Sequence, residues 1–556
     1  MLPRVGVQVR LLFVITILVG LGQSSSHHAA AAVQHRSAGF RAALERRSPS
    51  KADAPLGRQQ VENSDNWSGY KVLSTASPSS PQAPTSVQGS WTVPQVSFSA
   101  GGTNPAEYSS IWVGIGGAEG VTGPFSSSLI QIGTEQDADN SGNTQYYAWY
   151  ELLPADMVRL PNPIQPGDAI SASLACVEFC GAFGAQRWLI ALTDRTAGWT
   201  FSQSVGYGSS QGSAEWIVEA PTDTTTNEIL PLANFNHTGF DTVSLNGGNP
   251  LLGFANNAIR MTDKSGQTSN PSTPSAAGAF SVCWNGGAAF AACPLDTAPP
   301  EASAVVAAVL PTSRSVLNNH PATLFATIVN PGSQPATNCM IQLVPDLATA
   351  GAAFQYQQTD PMNNQLIGVP NQPATIPPGG AQSFIMTMAS QNQFYAYQIY
   401  FDFSCDGWLP AAPILGVNTF TLAVTGVPTP DVIALVATEK NDGTLHIPGV
   451  GNASAFAMAT DNVGIDGVLT LAPNTGNASL PLDVTICQTD PNSVCMAPPA
   501  PNVTLTIAAG AQPTFSVFAT ATGPIPFSPA ASRIFLQFTD ADGMVRGSSS
   551  VAVATQ

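Results

Sequence analysis

The chain has 556 residues, which is too long for one ordinary hydrophobic core and favours about two to four domains. Only 10% of the residues are charged, and the 35 acidic residues outnumber the 18 basic ones. Beyond residue 61 the excess is larger, with 33 acidic and 10 basic residues. Such a surface repels phosphate groups, so it excludes binding to nucleic acid or to an anionic membrane surface.

The N-terminus has the pattern of a secretory signal peptide. Two arginines precede the apolar run Leu11–Leu21, which is shorter than the roughly 20 residues of a membrane span. Small residues follow at Ala30–Ala32, so we expect a signal peptide over residues 1–32 and no membrane span in the mature chain. A retained N-terminal anchor is the alternative. Residues 33–61 are basic and are predicted to form a propeptide, with a disordered spacer as the other interpretation.

Residues 62–296 are predicted to form an all-β domain. Eight of the nine tryptophans fall in this range, and no long amphipathic helix is indicated. Short β-prone runs recur between Gly, Pro, Asn and Ser residues, and several alternate apolar with polar positions, which is typical of half-buried strands. An antiparallel β-sandwich follows. The clearest runs are Ser86–Val93, Ser109–Ile115, Leu129–Ile132, Gln145–Leu152, Arg187–Thr193 and Ala214–Val218.

A Pro-rich segment, Pro294–Pro300, separates this domain from a tail with a different composition. The tail contains an internal repeat, because the sequence Gln358–Pro361 returns 130 residues later as Gln488–Pro491. We therefore expect two copies of one β-sandwich module, possessing an immunoglobulin-like architecture, over residues 301–427 and 428–556. The pattern leaves open whether these modules bind a surface or only shield and space the first domain.

Eight cysteines indicate an oxidising compartment. They are predicted to form disulfides between neighbours in sequence, although eight cysteines allow 105 connectivities. A structural zinc site is the alternative, but it needs close pairs of Cys or His that are near one another. The neighbouring pairs are Cys176 with Cys180, Cys283 with Cys293, Cys339 with Cys405, and Cys487 with Cys495.

The catalytic motifs that the first domain lacks limit the kinds of reaction it could catalyse. His237 is its only histidine, and Ser210 matches a G-x-S-x-G pattern but lies in a Gly/Ser-rich stretch with no helix after it. No H-E-x-x-H motif and no Gly-rich phosphate loop occur. What remains is acidic and amide side chains on aromatic-rich strands. Glu215 and Glu219 lie on one face of a predicted strand, where apolar neighbours would raise a carboxyl pKa. The alternative is that both face water.

Six short stretches, in this order, resemble the glutamic peptidases, also called eqolisins. They lie between residues 66 and 219, and the resemblance does not extend to the tail. The stretches are Asn66-Trp-Ser-Gly-Tyr70, Trp112-Val-Gly-Ile115, Ile130-Gln-Ile-Gly133, Tyr147-Ala-Trp-Tyr-Glu151, Gly167-Asp168 and Ala214-Glu-Trp-Ile-Val-Glu219.

The resemblance implies two large antiparallel sheets, with a substrate cleft over one of them, and a water molecule held between a glutamate and a glutamine. These catalytic residues fall on Glu215 and Gln131. The implied activity is that of a secreted acid endopeptidase acting on proteins or peptides, with no metal, cofactor or covalent intermediate. Supporting carboxylates are expected at Glu151, Glu135 and Glu219, and a substrate-binding wall, or simply core, at Trp67, Trp112 and Trp149.

Two positions depart from the family pattern. Glu135 stands where the family usually has an aspartate, and Gly116 replaces the aspartate of W-V-G-I-D-G, which puts substrate preference and pH optimum in doubt. A non-catalytic, lectin-like carbohydrate-binding protein is the main alternative, since a concave sheet rich in Trp and Tyr also suits a sugar. A glycosidase using Glu215 with Glu219 is a third possibility. We expect a monomer.

Overall fold

The computed structural model describes residues 60–74, 83–99, 105–117, 128–295 and 304–556, with short gaps inside the last two ranges, together with the backbone of Leu44–Glu45. The predicted signal peptide and nearly all of the predicted propeptide therefore lie outside the described residues. Within the described residues every regular element is a β-strand, and none is a helix of the length and apolarity that crossing a membrane requires.

The first domain contains two mainly antiparallel sheets of different size. The strands of the domain are β1 Leu44–Glu45, β2 Gln60–Ser64, β3 Trp67–Leu73, β4 Ser86–Thr92, β5 Ala106–Gly116, β6 Leu129–Asp139, β7 Thr144–Leu152, β8 Val158–Arg159, β9 Ala169–Glu178, β10 Arg187–Asp194, β11 Trp199–Gly206, β12 Ser213–Glu219, β13 Thr222–Asp223, β14 Glu228–Ile229, β15 His237–Phe240, β16 Ser244–Leu245, β17 Asn256–Thr262, β18 Thr268–Pro271 and β19 Phe280–Gly286. The larger sheet has eleven strands in the order β15-β19-β18-β17-β3-β12-β5-β6-β7-β8, with β2 paired in parallel to β17, and the smaller has the order β11-β10-β9-β4-β16. A short sheet, β1-β13-β14, completes the domain.

The core of this domain lies between the larger and the smaller sheet. Alternation along β12 shows how it forms, because Trp216 points inward and packs with Trp91 and Trp188 from the smaller sheet. Its strand neighbours Glu215 and Ile217 must then point to the outer face of the larger sheet. All three tryptophans have 1% or less of their surface exposed. The period-2 pattern of the sequence thus produces an all-β sandwich.

The tail forms two further all-β units, each with its own hydrophobic core. The first contains β20 Val306–Leu310, β21 Ser313–Leu317, β22 Ala322–Val329, β23 Ala336–Leu343, β24 Ala353–Thr359, β25 Ala374–Ile376, β26 Ala381–Ala389, β27 Phe394–Ile399, β28 Phe401–Asp406 and β29 Phe420–Thr425. The second contains β30 Val432–Ala437, β31 Thr444–Ile447, β32 Ala453–Asn462, β33 Gly467–Asn474, β34 Leu482–Thr489, β35 Val503–Ile507, β36 Thr514–Ala521, β37 Arg533–Thr539 and β38 Val545–Thr555.

The two tail units share a strand order. One has a sheet β20-β22-β26-β24 and the other a sheet β30-β32-β36-β34. The first two residues of the repeated Gln-Thr-Asp motif are the last two residues of β24 in one unit and of β34 in the other. The sequence repeat therefore falls on equivalent strands. The domain boundaries drawn from the sequence stay predictions. The cysteines form four disulfides, Cys176–Cys180, Cys283–Cys293, Cys339–Cys405 and Cys487–Cys495.

The first tail unit packs on the outer face of the smaller sheet. Leu189 and Val177 of that sheet form one buried cluster with Val344 and Tyr400 of the tail. A cavity of about 600 Å³ lies beside this contact, lined from both sides, and the buried Asp402 is part of its wall. The contact therefore lies on the opposite side of the sandwich from the outer face of the larger sheet.

Candidate active site

A single row of cross-strand neighbours crosses the centre of the larger sheet. The strand register places Lys71 beside Glu215, Glu215 beside Gly114, Gly114 beside Gln131, and Gln131 beside Glu151. Because directly opposed residues share a sheet face, the four side chains of this row all lie on the outer face. Glu215 and Gln131 are two strands apart, which corresponds to about 10 Å between their backbones.

The same face carries a second aromatic cluster, separate from the core between the sheets. Trp67, Trp112 and Trp149 belong to it, and none of the three has any exposed surface. Trp67 and Trp112 meet edge to face with 5.0 Å between ring centroids. The three tryptophans predicted from the sequence are therefore brought to the same face as Glu215 and Gln131, in the arrangement of a closed, packed layer.

Glu215 is fully buried and has no strong compensation for its charge. Neither carboxylate oxygen makes a hydrogen bond of standard geometry among the described residues. Burial raises the pKa of Glu215 well above its usual range, while the Ser213 hydroxyl and the Lys71 ammonium act in the opposite direction. This shift favours the neutral, protonated carboxyl over the carboxylate. A carboxyl held this way is characteristic of a functional site rather than of a structural ion pair.

Gln131 is held by a carboxylate. Its Nε2 donates a hydrogen bond of 2.7 Å to Oε2 of Glu151, its neighbour on β7. The amide is thereby oriented, and its Oε1 has no hydrogen-bond partner among the described residues although it is buried. A buried amide oxygen without a partner carries a desolvation cost. The arrangement therefore leaves Gln131 with one acceptor and one remaining N–H to offer to a bound molecule.

Glu219 occupies a different kind of environment on the same strand. Its two oxygens accept hydrogen bonds from Nε1 of Trp112 at 2.8 Å and from Nδ2 of Asn66 at 3.3 Å. Glu219 therefore fixes the Trp112 ring, which is a positioning role. Glu135 is also fully buried on this face and lies opposite Ser110 and Tyr147.

Two glycines of the motifs shape this face. A Cβ on Gly114 would meet the Trp112 ring at 2.8 Å, so only glycine leaves room for that ring against the backbone at this position. Gly116 has a φ of +92°, and a Cβ there would lie 2.3 Å from the carbonyl oxygen of Ser128. The backbone at this position does not accept the aspartate that the family pattern places there.

Sequence reasoning missed two members of the row. Lys71 follows the Asn66–Tyr70 motif and is four residues from Trp67, so period 2 alone would have put it on the same face. Gly114 lies inside the motif Trp112–Ile115, but the motif did not predict a role for this glycine. Two other residues of the sequence motifs, Asp168 and Ser210, lie outside this row. Asp168 is in a loop, where it accepts a hydrogen bond from the backbone N–H of Gln165. Ser210 is buried in the loop between β11 and β12.

Residues 65–284 match the model of the Peptidase A4 family. The match covers the whole of the row and both clusters described above, and it ends before the two tail units. No curated protein matches the chain. The match thus places residues 65–284 of this protein in the Peptidase A4 family, and it indicates a glutamic-type peptidase, a hydrolase of peptide bonds.

Proposed function

We propose that this protein is an exported, acid-acting endopeptidase in which Glu215 and Gln131 activate one water molecule between them. The observation that carries the proposal is their place in one row of the sheet, where the strand register puts only Gly114 between them. Both are buried, and both keep polar atoms without a protein partner among the described residues. A water molecule between them would satisfy those atoms.

Glu215 is assigned the role of general base and then general acid. Burial in the closed face raises the pKa of Glu215 and so favours the protonated carboxyl, which cannot take up a proton. Opening the face to substrate and water lowers the pKa of Glu215, because hydration stabilises the carboxylate. The carboxylate then removes a proton from the attacking water and returns it to the leaving nitrogen.

Gln131 is assigned to the oxyanion. Its Nε2 has two hydrogens, of which one is donated to Glu151. The second can donate to the oxygen of the tetrahedral intermediate, without a change of charge on the enzyme. Its Oε1 can accept a hydrogen bond from the attacking water. Glu151 acts through Gln131 and is a positioning residue.

Export and acidic working conditions are supported by the chain as a whole. Four disulfides suit an oxidising compartment. The excess of acidic over basic residues means that protonation at low pH relieves self-repulsion and leaves few positive charges. Proteins or peptides are the substrates that the family implies.

The test is cleavage of denatured casein across pH 2–8 by the full chain after acid treatment. Glu215→Gln is expected to lower kcat by roughly 10²–10⁴-fold, as expected for loss of acid–base catalysis. Gln131→Ala is expected to lower it by roughly 10²–10³-fold, as for an oxyanion donor. Glu228→Gln makes the same chemical change on the exposed strand β14 and should leave activity unchanged.

Stability measurements separate catalysis from folding. A raised pKa means that the folded state keeps its proton where the unfolded chain has lost it, so Glu215 favours folding less as pH rises above its usual range. Glu215→Gln should therefore be as stable as the parent in acid and more stable near neutrality. Retained cleavage by a well-folded Glu215→Gln or Gln131→Ala variant would overturn the assignment. The carbohydrate-binding alternative would be favoured by glycan binding without proteolysis at any pH.

A further inference from the structure

A buried lysine lies next to the proposed base. Lys71 is the direct cross-strand neighbour of Glu215 and is only 4% exposed. Its Nζ lies 2.6 Å from Oε2 of Glu62, on β2 at the other side of β17. Lysine is rarely buried without a reason, because removing an ammonium from water is costly unless another charge compensates it.

The charges around Glu215 are unevenly distributed. On its own strand it is flanked on this face by Ser213 and, beyond Ile217, by Glu219. Across the sheet, β5 offers only Gly114 at this level, β6 offers Gln131 and Glu135, and β7 offers Glu151. On β3, Lys71 lies beside Glu215, and Glu62 of β2 lies farther from Glu215, across β17. Among these described groups Lys71 is the one cation, and every other charged group is a carboxylate.

This distribution has a direct consequence for a carboxyl that must act in acid. Burial favours the protonated form of Glu215, and neighbouring carboxylates would favour it further. A positive charge on the adjacent strand opposes both effects, and low-dielectric surroundings strengthen any interaction between buried charges. The charge therefore decides how far into the acidic range a carboxylate can still be present.

We propose that Lys71 is a positioning residue that sets the pH at which Glu215 can act as the base, and that its ion pair with Glu62 limits this effect. The inference rests on the proposed function of Glu215. The action of Lys71 on Glu215 is electrostatic, since the Lys71 ammonium is paired with Glu62. The Coulomb effect of Lys71 on Glu215 in the structure has the required sign.

The experiment is the pH dependence of kcat/KM, whose acidic limb reports the base of the free enzyme. Lys71→Met should move this limb upward by about one pH unit or more, as expected when a close opposite charge is lost. Glu62→Gln should move it downward, because the ammonium is no longer neutralised. Lys71→Arg keeps the charge and should keep the limb. Lys264→Met, which removes an exposed lysine in the turn after β17, should leave the limb in place.

The folded fraction of each variant is measured by circular dichroism across the same pH range, because unfolding in acid would also move the limb. An unshifted limb in Lys71→Met, with Glu215→Gln inactive, would overturn this inference and leave the proposed function standing. Activity in Glu215→Gln would overturn both. A limb that moves equally in Lys71→Met and Lys71→Arg would show a structural role for Lys71 and refute an electrostatic one.

Discussion

The two outer faces of the peptidase sandwich both bury ionisable groups, but they treat them differently. On the smaller sheet, Arg187 is 8% exposed and its guanidinium donates four hydrogen bonds. It donates to Glu178 at 2.9 Å, to Ser204 at 2.6 Å and to Asp346 of the tail. Arg187 also donates to the backbone carbonyl of Gln398 and stacks on the ring of Tyr397, both in the tail.

On the larger sheet, Glu215 is more deeply buried and yet has no comparable set of partners. Burial raises the pKa of Glu178 as well, but there the Arg187 charge opposes it through direct contact. A buried charge with satisfied hydrogen bonds holds structure together, whereas one without them is unstable unless a ligand completes it. The comparison therefore separates the face that binds the tail from the face that carries chemistry.

The largest effect is expected from breaking the tail contact. Arg187→Met removes the cation from the half-buried Glu178 and from the buried carboxyl group of Asp346, so the free energy of unfolding should fall by about 3–5 kcal/mol. Urea unfolding measures it. Arg159→Met, which removes an exposed arginine stacked on Tyr147, should cost about 0.5–1 kcal/mol.

The same variant sharpens the contrast between the faces. Because Arg187 lies on the far side of the sandwich from Glu215, Arg187→Met should keep its kcat at temperatures well below its melting point. A folded Arg187→Met enzyme without activity would contradict the separation of the two faces.

A second prediction concerns a buried carboxyl group of the tail, which lies beside the contact with the smaller sheet. Asp402 of β28 is buried with one oxygen unpartnered among the described residues, and burial raises its pKa to about 7. The folded state therefore binds a proton that the unfolded chain releases near pH 4. Its contribution to stability is full below pH 4 and declines as the pH rises to 7, by on the order of 4 kcal/mol.

Asp402→Asn cannot ionise, so this decline should disappear. We expect the unfolding free energy of the variant to exceed that of the parent by an amount that grows between pH 4 and 7 and then levels off. Urea unfolding at each pH measures it, with the exposed Asp483→Asn as the control. Parallel curves for Asp402→Asn and the parent would show that the carboxyl is hydrated in solution.

The smallest effect concerns the departure from the family pattern. Gly116→Ala should cost about 1–3 kcal/mol, because the new Cβ meets the Ser128 carbonyl oxygen in addition to the strained φ. Gly142 has a φ of +83° with nothing within 4 Å, so Gly142→Ala isolates the strain alone at about 1 kcal/mol. Equal losses in thermal unfolding of the two variants would contradict the steric account of why no aspartate stands at position 116.

The sequence predicted the all-β class and the centres of its strands. The run Gln145–Leu152 falls within β7, and Ala214–Val218 within β12. The ends of the strands could be predicted less well from the sequence. β6 continues to Asp139 through a polar stretch whose residues are buried only because β5 and β7 lie on either side. Local pattern cannot show burial that is supplied by distant strands.

For the site, alternation along β12 determined that Glu215 and Glu219 share a face, since side-chain direction in a strand depends only on the local backbone. It could not determine that Lys71, Gly114 and Gln131 stand level with Glu215. Backbone hydrogen bonds between strands are nearly the same at every register, so the choice is made by packing of side chains over the whole sheet. The tertiary structure alone therefore decided which of two similar glutamates lost its partners, and which lysine came to lie beside it.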